Sequence, residues 1–146
     1  MNYLTFIEDN ISKIGTIKGL EMAKILEIED YFQLKLPTAY KEFLCNFGET
    51  SGNLLSSYYM TYPALMDNKN DAIEMLNFDD RKLKNEKPKL KENYFFFGQW
   101  QGYNFFFFEC RDNENPPIKL LNDSLEIIDY KKSFTDFLIE DGINNL

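Results

Sequence analysis

The chain has 146 residues, 24 acidic side chains against 16 Lys and Arg, a formal charge of −8 and no histidine. Without histidine, Ser-His-Asp, Cys-His and zinc-His chemistries are excluded. An acidic chain lacking a sustained basic face is a poor nucleic-acid binder, so no nucleic-acid partner is expected.

The length suits one domain, residues 1–146, large enough to bury roughly 68% of the surface its unfolded chain exposes. Leu4, Ile7, Ile11 and Ile14 recur at helical spacing, which predicts a helix with one apolar stripe that Gly15 stops. Gly19 precedes a second helix, with Ile25, Ile28 and Phe32 on its dry face and Glu21, Glu27, Glu29 and Asp30 mostly on the wet side. Pro37 opens a third, because its missing N–H falls where no partner is needed. Tyr40, Phe43, Leu44 and Phe47 give i, i+3, i+4, i+7, and Gly48 is expected to end the helix in the left-handed conformation.

A turn-rich loop, 49–53, leads into a candidate strand over Leu54–Met60. Ala72, Met75 and Leu76 predict a helix near Asn70–Phe78, with Asp71 favoured in its first turn. Residues 81–91 hold six basic side chains against one acid, Glu86, and Pro88 breaks regular structure there. A solvated loop is expected, with an intramolecular contact to an acidic face as the second reading. No aromatics interleave with these cations, as single-strand binding would want.

Ten of the fifteen residues from Tyr94 to Phe108 are aromatic, in two blocks separated by Gly98-Gln99-Trp100-Gln101-Gly102. This predicts a hairpin that needs cover, with the terminal helices as the natural lid. Residues 111–116 have turn chemistry. Pro117–Leu121 and Leu125–Ile128 read as two short strands around Asn122-Asp123-Ser124. Ser133 caps a last helix, with Asp136 at capping-box spacing, an apolar face of Phe134, Phe137 and Leu138, and a stop at Gly142. The order gives an α+β fold: N-terminal helices, a central antiparallel β-sheet and a closing C-terminal helix.

No catalytic residue stands out. The doublets Glu29/Asp30, Asp79/Asp80 and Glu140/Asp141 place neighbouring carboxylates in different directions. Gly98-x-x-x-Gly102 lacks the Gly-Lys-Ser/Thr end of a phosphate loop. Cys45 and Cys110 are too few and too far apart for zinc, and their apolar surroundings favour two buried reduced thiols over a disulfide. No cofactor and no metal are expected. The start has no basic region before an apolar core, and nothing approaches the ~20 apolar residues of a membrane span. A cytoplasmic protein without a membrane partner is expected.

Binding remains. The charge either steers cationic partners or only confers solubility. Trp100 at the hairpin tip is either a partner anchor or a ring folded back on the sheet. Glu49, an acid in the loop after the third helix, is the other candidate contact. Tyr58, Tyr59 and Tyr62 offer contact area near a sheet edge or pack within a strand.

Glu29, then Leu36-Pro37-x-x-Tyr40-Lys41-x-Phe43-Leu44, then Phe47-Gly48 resembles the signature of the SUKH superfamily (Smi/Knr-like). Tyr94–Gly98, Phe108-Glu109, Pro116-Pro117-Ile118 and Ser133-Phe134-x-x-Phe137-Leu138 follow in the family's order, over roughly residues 20–140. Phe47 before the glycine and Glu109 in place of the frequent aspartate depart from the pattern. The physical reading of these residues is scaffold, with Pro37 starting a helix, Tyr40, Phe43 and Leu44 burying its face, and Phe134, Phe137 and Leu138 closing the sheet, whereas the resemblance implies a non-catalytic protein of the bacterial immunity type. Such a protein binds and neutralises a cognate polymorphic toxin domain encoded nearby. Fungal relatives imply an alternative, an intracellular regulatory scaffold related to cell-wall synthesis regulators. A third reading is an enzyme with unusual carboxylate chemistry, for which the sequence offers no constellation.

Overall fold

The computed structural model describes residues 2–78 and 86–146. Four strands, β1 (Tyr94–Trp100), β2 (Asn104–Glu109), β3 (Ile118–Leu121) and β4 (Ile127–Lys131), form an antiparallel sheet in the order β1-β2-β3-β4. Among the described residues five α-helices surround it: α1 (Ile7–Ile14), α2 (Met22–Phe32), α3 (Thr38–Phe47), α4 (Asn68–Phe78) and α5 (Phe134–Phe137). The last continues through a π turn, Leu138–Gly142. This is the α+β arrangement expected.

Alternation along the strands sends successive rings to opposite faces. Phe95, Phe97, Phe106 and Phe108 belong to the larger core with α1, α2, α3 and α5. Tyr40 of α3 lies 5.2 Å from Phe95 and 5.3 Å from Phe108, and Phe97 lies 5.3 Å from Phe134 and 5.1 Å from Phe137. Tyr94, Phe96, Phe105 and Phe107 face the other way, onto Ala72 and Leu76 of α4. Both faces of the sheet are therefore covered, the second by an internal helix instead of a terminal one. A bulge between Phe96 and Gly98 shifts the alternation, so Gln99 pairs with Phe105 on the α4 face.

Polar bonds fasten the periphery. The Glu42 carboxylate on α3 accepts the N–H groups of Asn2, Tyr3 and Leu4 at 2.8, 2.9 and 3.1 Å. Burial pushes that carboxyl upward, but these three amides outweigh it and hold it below the usual range. Glu29 on α2 accepts the Leu36 N–H at 2.7 Å, which fixes the Leu-Pro turn before α3. Gly19 lies against the last turn of α3, where a Cβ would sit 1.6 Å from the Cys45 carbonyl oxygen. The next N–H, of Leu20, donates to Leu44 at 2.8 Å.

Several expectations are corrected. Leu54–Met60 is a series of turns, with Leu55 and Tyr59 at φ 50° and 51°. Its apolar character reflects burial of Leu54, Leu55 and Met60 in the larger core. Gly48 is right-handed, at φ −64°. Its need for glycine is steric, since a Cβ would meet Leu44 O at 2.5 Å and Leu20 Cγ at 2.7 Å. The last strand begins two residues later than expected, because Asn122 organises the preceding turn by accepting the N–H groups of Ser124 and Glu126. Ile11 is exposed, whereas Leu4, Ile7 and Ile14 are buried. Cys45 is exposed and Cys110 half-buried, and both are free, so the expected pair of buried thiols does not hold. Part of the basic segment, 81–85, and the Asp79/Asp80 doublet lie outside the described residues. Of the rest, Lys87 donates to the Leu76 carbonyl at the end of α4, and Leu90 packs in the smaller core.

Candidate partner-binding site

The hairpin tip is built from the bulge outward. Past it, the Gln99 N–H donates to the Tyr58 carbonyl at 2.9 Å, which ties the 49–63 loop to the β1 edge. The Gln99 amide points inward and donates to Asn68 Oδ1 at 2.9 Å and Asp71 Oδ2 at 2.8 Å. Asn68, fully buried at the start of α4, donates in turn to the Tyr59 carbonyl at 3.2 Å. A buried amide is tolerated when its hydrogen bonds are made, and this network joins strand, helix and loop at one point.

The network controls what is displayed. With Gln99 turned in, Trp100 follows at the strand end with 40% of its surface exposed. The turn runs through Gln101 and Gly102 at φ 57° and 77° to Tyr103, also 40% exposed. The Tyr103 hydroxyl donates to Gln101 Oε1. Tyr59 sits beside the strand end at φ 51° with its ring exposed. At the same end of the sheet, where Phe105 pairs with Leu121 and Leu121 with Ile127, the β3–β4 turn presents Asp123 and Glu126.

Of the two contacts named from sequence, Trp100 is thus an exposed ring and not one folded onto the core. Glu49 lies elsewhere in the loop. Its N–H donates to Lys18 O at 2.9 Å and its carboxylate pairs with Lys18 Nζ at 3.2 Å. Among the described residues no hydrogen bond, ion pair or ring contact joins Glu49 to Trp100. Of the three tyrosines, Tyr58 stacks on Phe106 at 5.6 Å, Tyr62 lies under Lys24 at 4.9 Å, and Tyr59 faces outward. Sequence reading missed the Gln99–Asn68–Asp71 network. Its one signal is a glutamine inside an aromatic strand.

The groups with titratable or nucleophilic chemistry have structural work. Lys131 holds Glu140 at 2.7 Å and Asp141 at 3.7 Å, and Asp141 accepts the Tyr130 hydroxyl at 2.6 Å. Burial, followed by that bond to Asp141, pushes the Tyr130 hydroxyl upward. These groups adjoin a cavity of about 520 Å³ along β3 and β4, whose Lys119 also pairs with Asp129. Burial raises the Cys110 thiol to about 12 and also raises Cys45, so neither is activated toward thiolate. Tyr40 is fully buried, its hydroxyl without a hydrogen-bond partner among the described residues. Glu109 ends β2 with its carboxylate 2.7 Å from Arg111 Nε, poorly aligned for a hydrogen bond. Among the described residues no group of cysteine and carboxylate side chains could hold a metal ion, and no helix is long and apolar enough to cross a membrane.

Residues 19–140 match the model of the SMI1 / KNR4 family (SUKH-1). No curated protein matches the chain.

Proposed function

Because this chain belongs to the SMI1 / KNR4 family (SUKH-1), we propose that it is a non-catalytic binding protein of the immunity type, which neutralises a toxin by covering its working surface. The observation that carries this reading is the family match across residues 19–140. The exposed rings at the hairpin tip and the charge of −8 support it.

The mechanism is occlusion. Carboxylates on this protein pair with toxin cations that otherwise meet substrate, and a few rings supply the desolvated centre of the interface. Trp100 is the proposed anchor and Glu49 a peripheral charge that exchanges Lys18 for a partner cation. The packed sheet keeps the surface preformed, which lowers the ordering cost of association. Action takes place in the cytoplasm of the cell that makes this protein, on a toxin made by that cell or by a neighbour.

Co-expression with the polypeptide encoded immediately upstream tests this. The neighbour alone should arrest growth, and co-expression should restore it and yield a complex stable at micromolar concentration. A neighbour that is neither toxic nor bound removes the immunity reading. An envelope phenotype on deletion, with no toxin present, would favour the regulatory scaffold instead.

A further inference from the structure

We infer that Tyr59, Trp100 and Tyr103 form a preorganised platform for an arginine-bearing segment of the protein partner, an inference that deepens the binding reading above and rests on it. The first observation is display. Three large rings are 54%, 40% and 40% exposed at one end of a sheet whose other aromatics are buried on β1 and β2 and half-buried at Tyr130 of β4. Tyr59 holds a positive φ that bulky side chains rarely adopt. It is kept there because the carbonyls of Tyr58 and Tyr59 are both engaged, by Gln99 N–H and by Asn68 Nδ2. Backbone strain of this kind persists where surrounding structure enforces it.

The second observation is local charge. The segments that build this end, 57–62, 67–71, 98–105 and 121–128, hold four acids, Asp67, Asp71, Asp123 and Glu126, against one cation of their own, Lys69, and one from α2, Lys24, which lies over Tyr62 and is paired with Glu27 at 2.8 Å. Lys69 is withdrawn from the platform, its Nζ lying 3.2 and 3.3 Å from the carbonyls of Glu92 and Tyr94 at the opposite end of β1. Asp67, Asp123 and Glu126 are exposed. Exposed rings at an end of the sheet where acids outnumber cations suit a guanidinium, which is planar, weakly hydrated, stacks on aromatics and pairs with acids. Lysine, a compact and strongly hydrated charge, fits such a surface less well.

Trp100 is the sole tryptophan, so its emission reports on this surface directly. Titration of the full chain with hexa-arginine should change that emission saturably, with hexalysine binding several-fold more weakly and hexa-glutamate not at all. The double variant Tyr59→Ser/Tyr103→Ser keeps the reporter and should bind hexa-arginine about tenfold more weakly. Met22→Ser/Leu26→Ser, which removes exposed apolar side chains from α2, should bind as the parent does. Melting temperatures of both variants check that they fold. Equal affinity of the two variants, an unresponsive Trp100, or hexalysine binding as tightly as hexa-arginine overturns the platform. A toxin that binds Tyr59→Ser/Tyr103→Ser at full affinity also overturns it while leaving the immunity reading intact. Hexa-arginine binding at Trp100 beside a non-toxic upstream polypeptide sustains the platform and removes the immunity reading.

Discussion

Phe97 and Trp100 stand three residues apart on β1, yet Phe97 is fully buried and Trp100 is among the most exposed rings of the chain. Residue type does not separate them; position relative to the bulge and the strand end does. The middle of the sheet is held by ring area on both faces, whereas its periphery is held by a small number of directed polar bonds. Stability should therefore fall off steeply from the middle outward, and binding should follow the opposite gradient.

Four substitutions test that contrast. Phe97→Ala empties a site ringed by Phe108, Phe134 and Phe137, and chemical denaturation should show a loss of about 3–5 kcal/mol. A loss below about 1 kcal/mol would break the distinction at its strongest point. Gln99→Leu strands Asn68 and Asp71 without their donor, at a cost of about 1–3 kcal/mol. It should also quicken amide exchange at the start of α4.

Glu42→Ala frees the amides of residues 2–4 and should cost about 1 kcal/mol at neutral pH, after allowance for solvent screening. Here the sign is fixed by the lowered carboxyl. The contribution is fully present above the ordinary value of 4.5 and is lost as pH falls through the folded one. Parent and variant should thus converge in stability in acid, and a gap that persists there would assign the effect to packing. Trp100→Ser should change the melting temperature least, by the equivalent of under about 0.5 kcal/mol, while lowering partner affinity. A large stability loss would mean that this ring belongs to the interior after all.

The order of elements was legible because helices and strands write different periods into sequence. Tyr40, Phe43, Leu44 and Phe47 mark α3 without ambiguity, and all four are buried. Ser133 caps the last helix as its hydroxyl type suggests, accepting the Asp136 N–H at 3.0 Å. Leu54–Met60 misled because burial alone can make a run apolar, and nothing local records that turns bury Leu54, Leu55 and Met60. Gly48 misled differently, since a glycine required by a neighbour's contact looks the same in sequence as one required by a positive φ. At the tip, Trp100 could be named but not its setting. Tyr59 and Asn68 reach it from distant positions, and the bulge that turns Gln99 inward leaves no periodic trace. Glu49 could be named as an exposed acid, but its pairing with Lys18 depends on how the chain before α2 returns to the end of α3.

The joint at Gly19 has a further consequence. Where two main chains touch, there is no rotamer to adjust, and a single added methyl would demand a simultaneous retreat of α3 at Cys45. One substitution cannot supply both movements. Position 19 therefore admits no side chain unless the end of α3 moves with it, and even Gly19→Ala should displace the helix at Cys45.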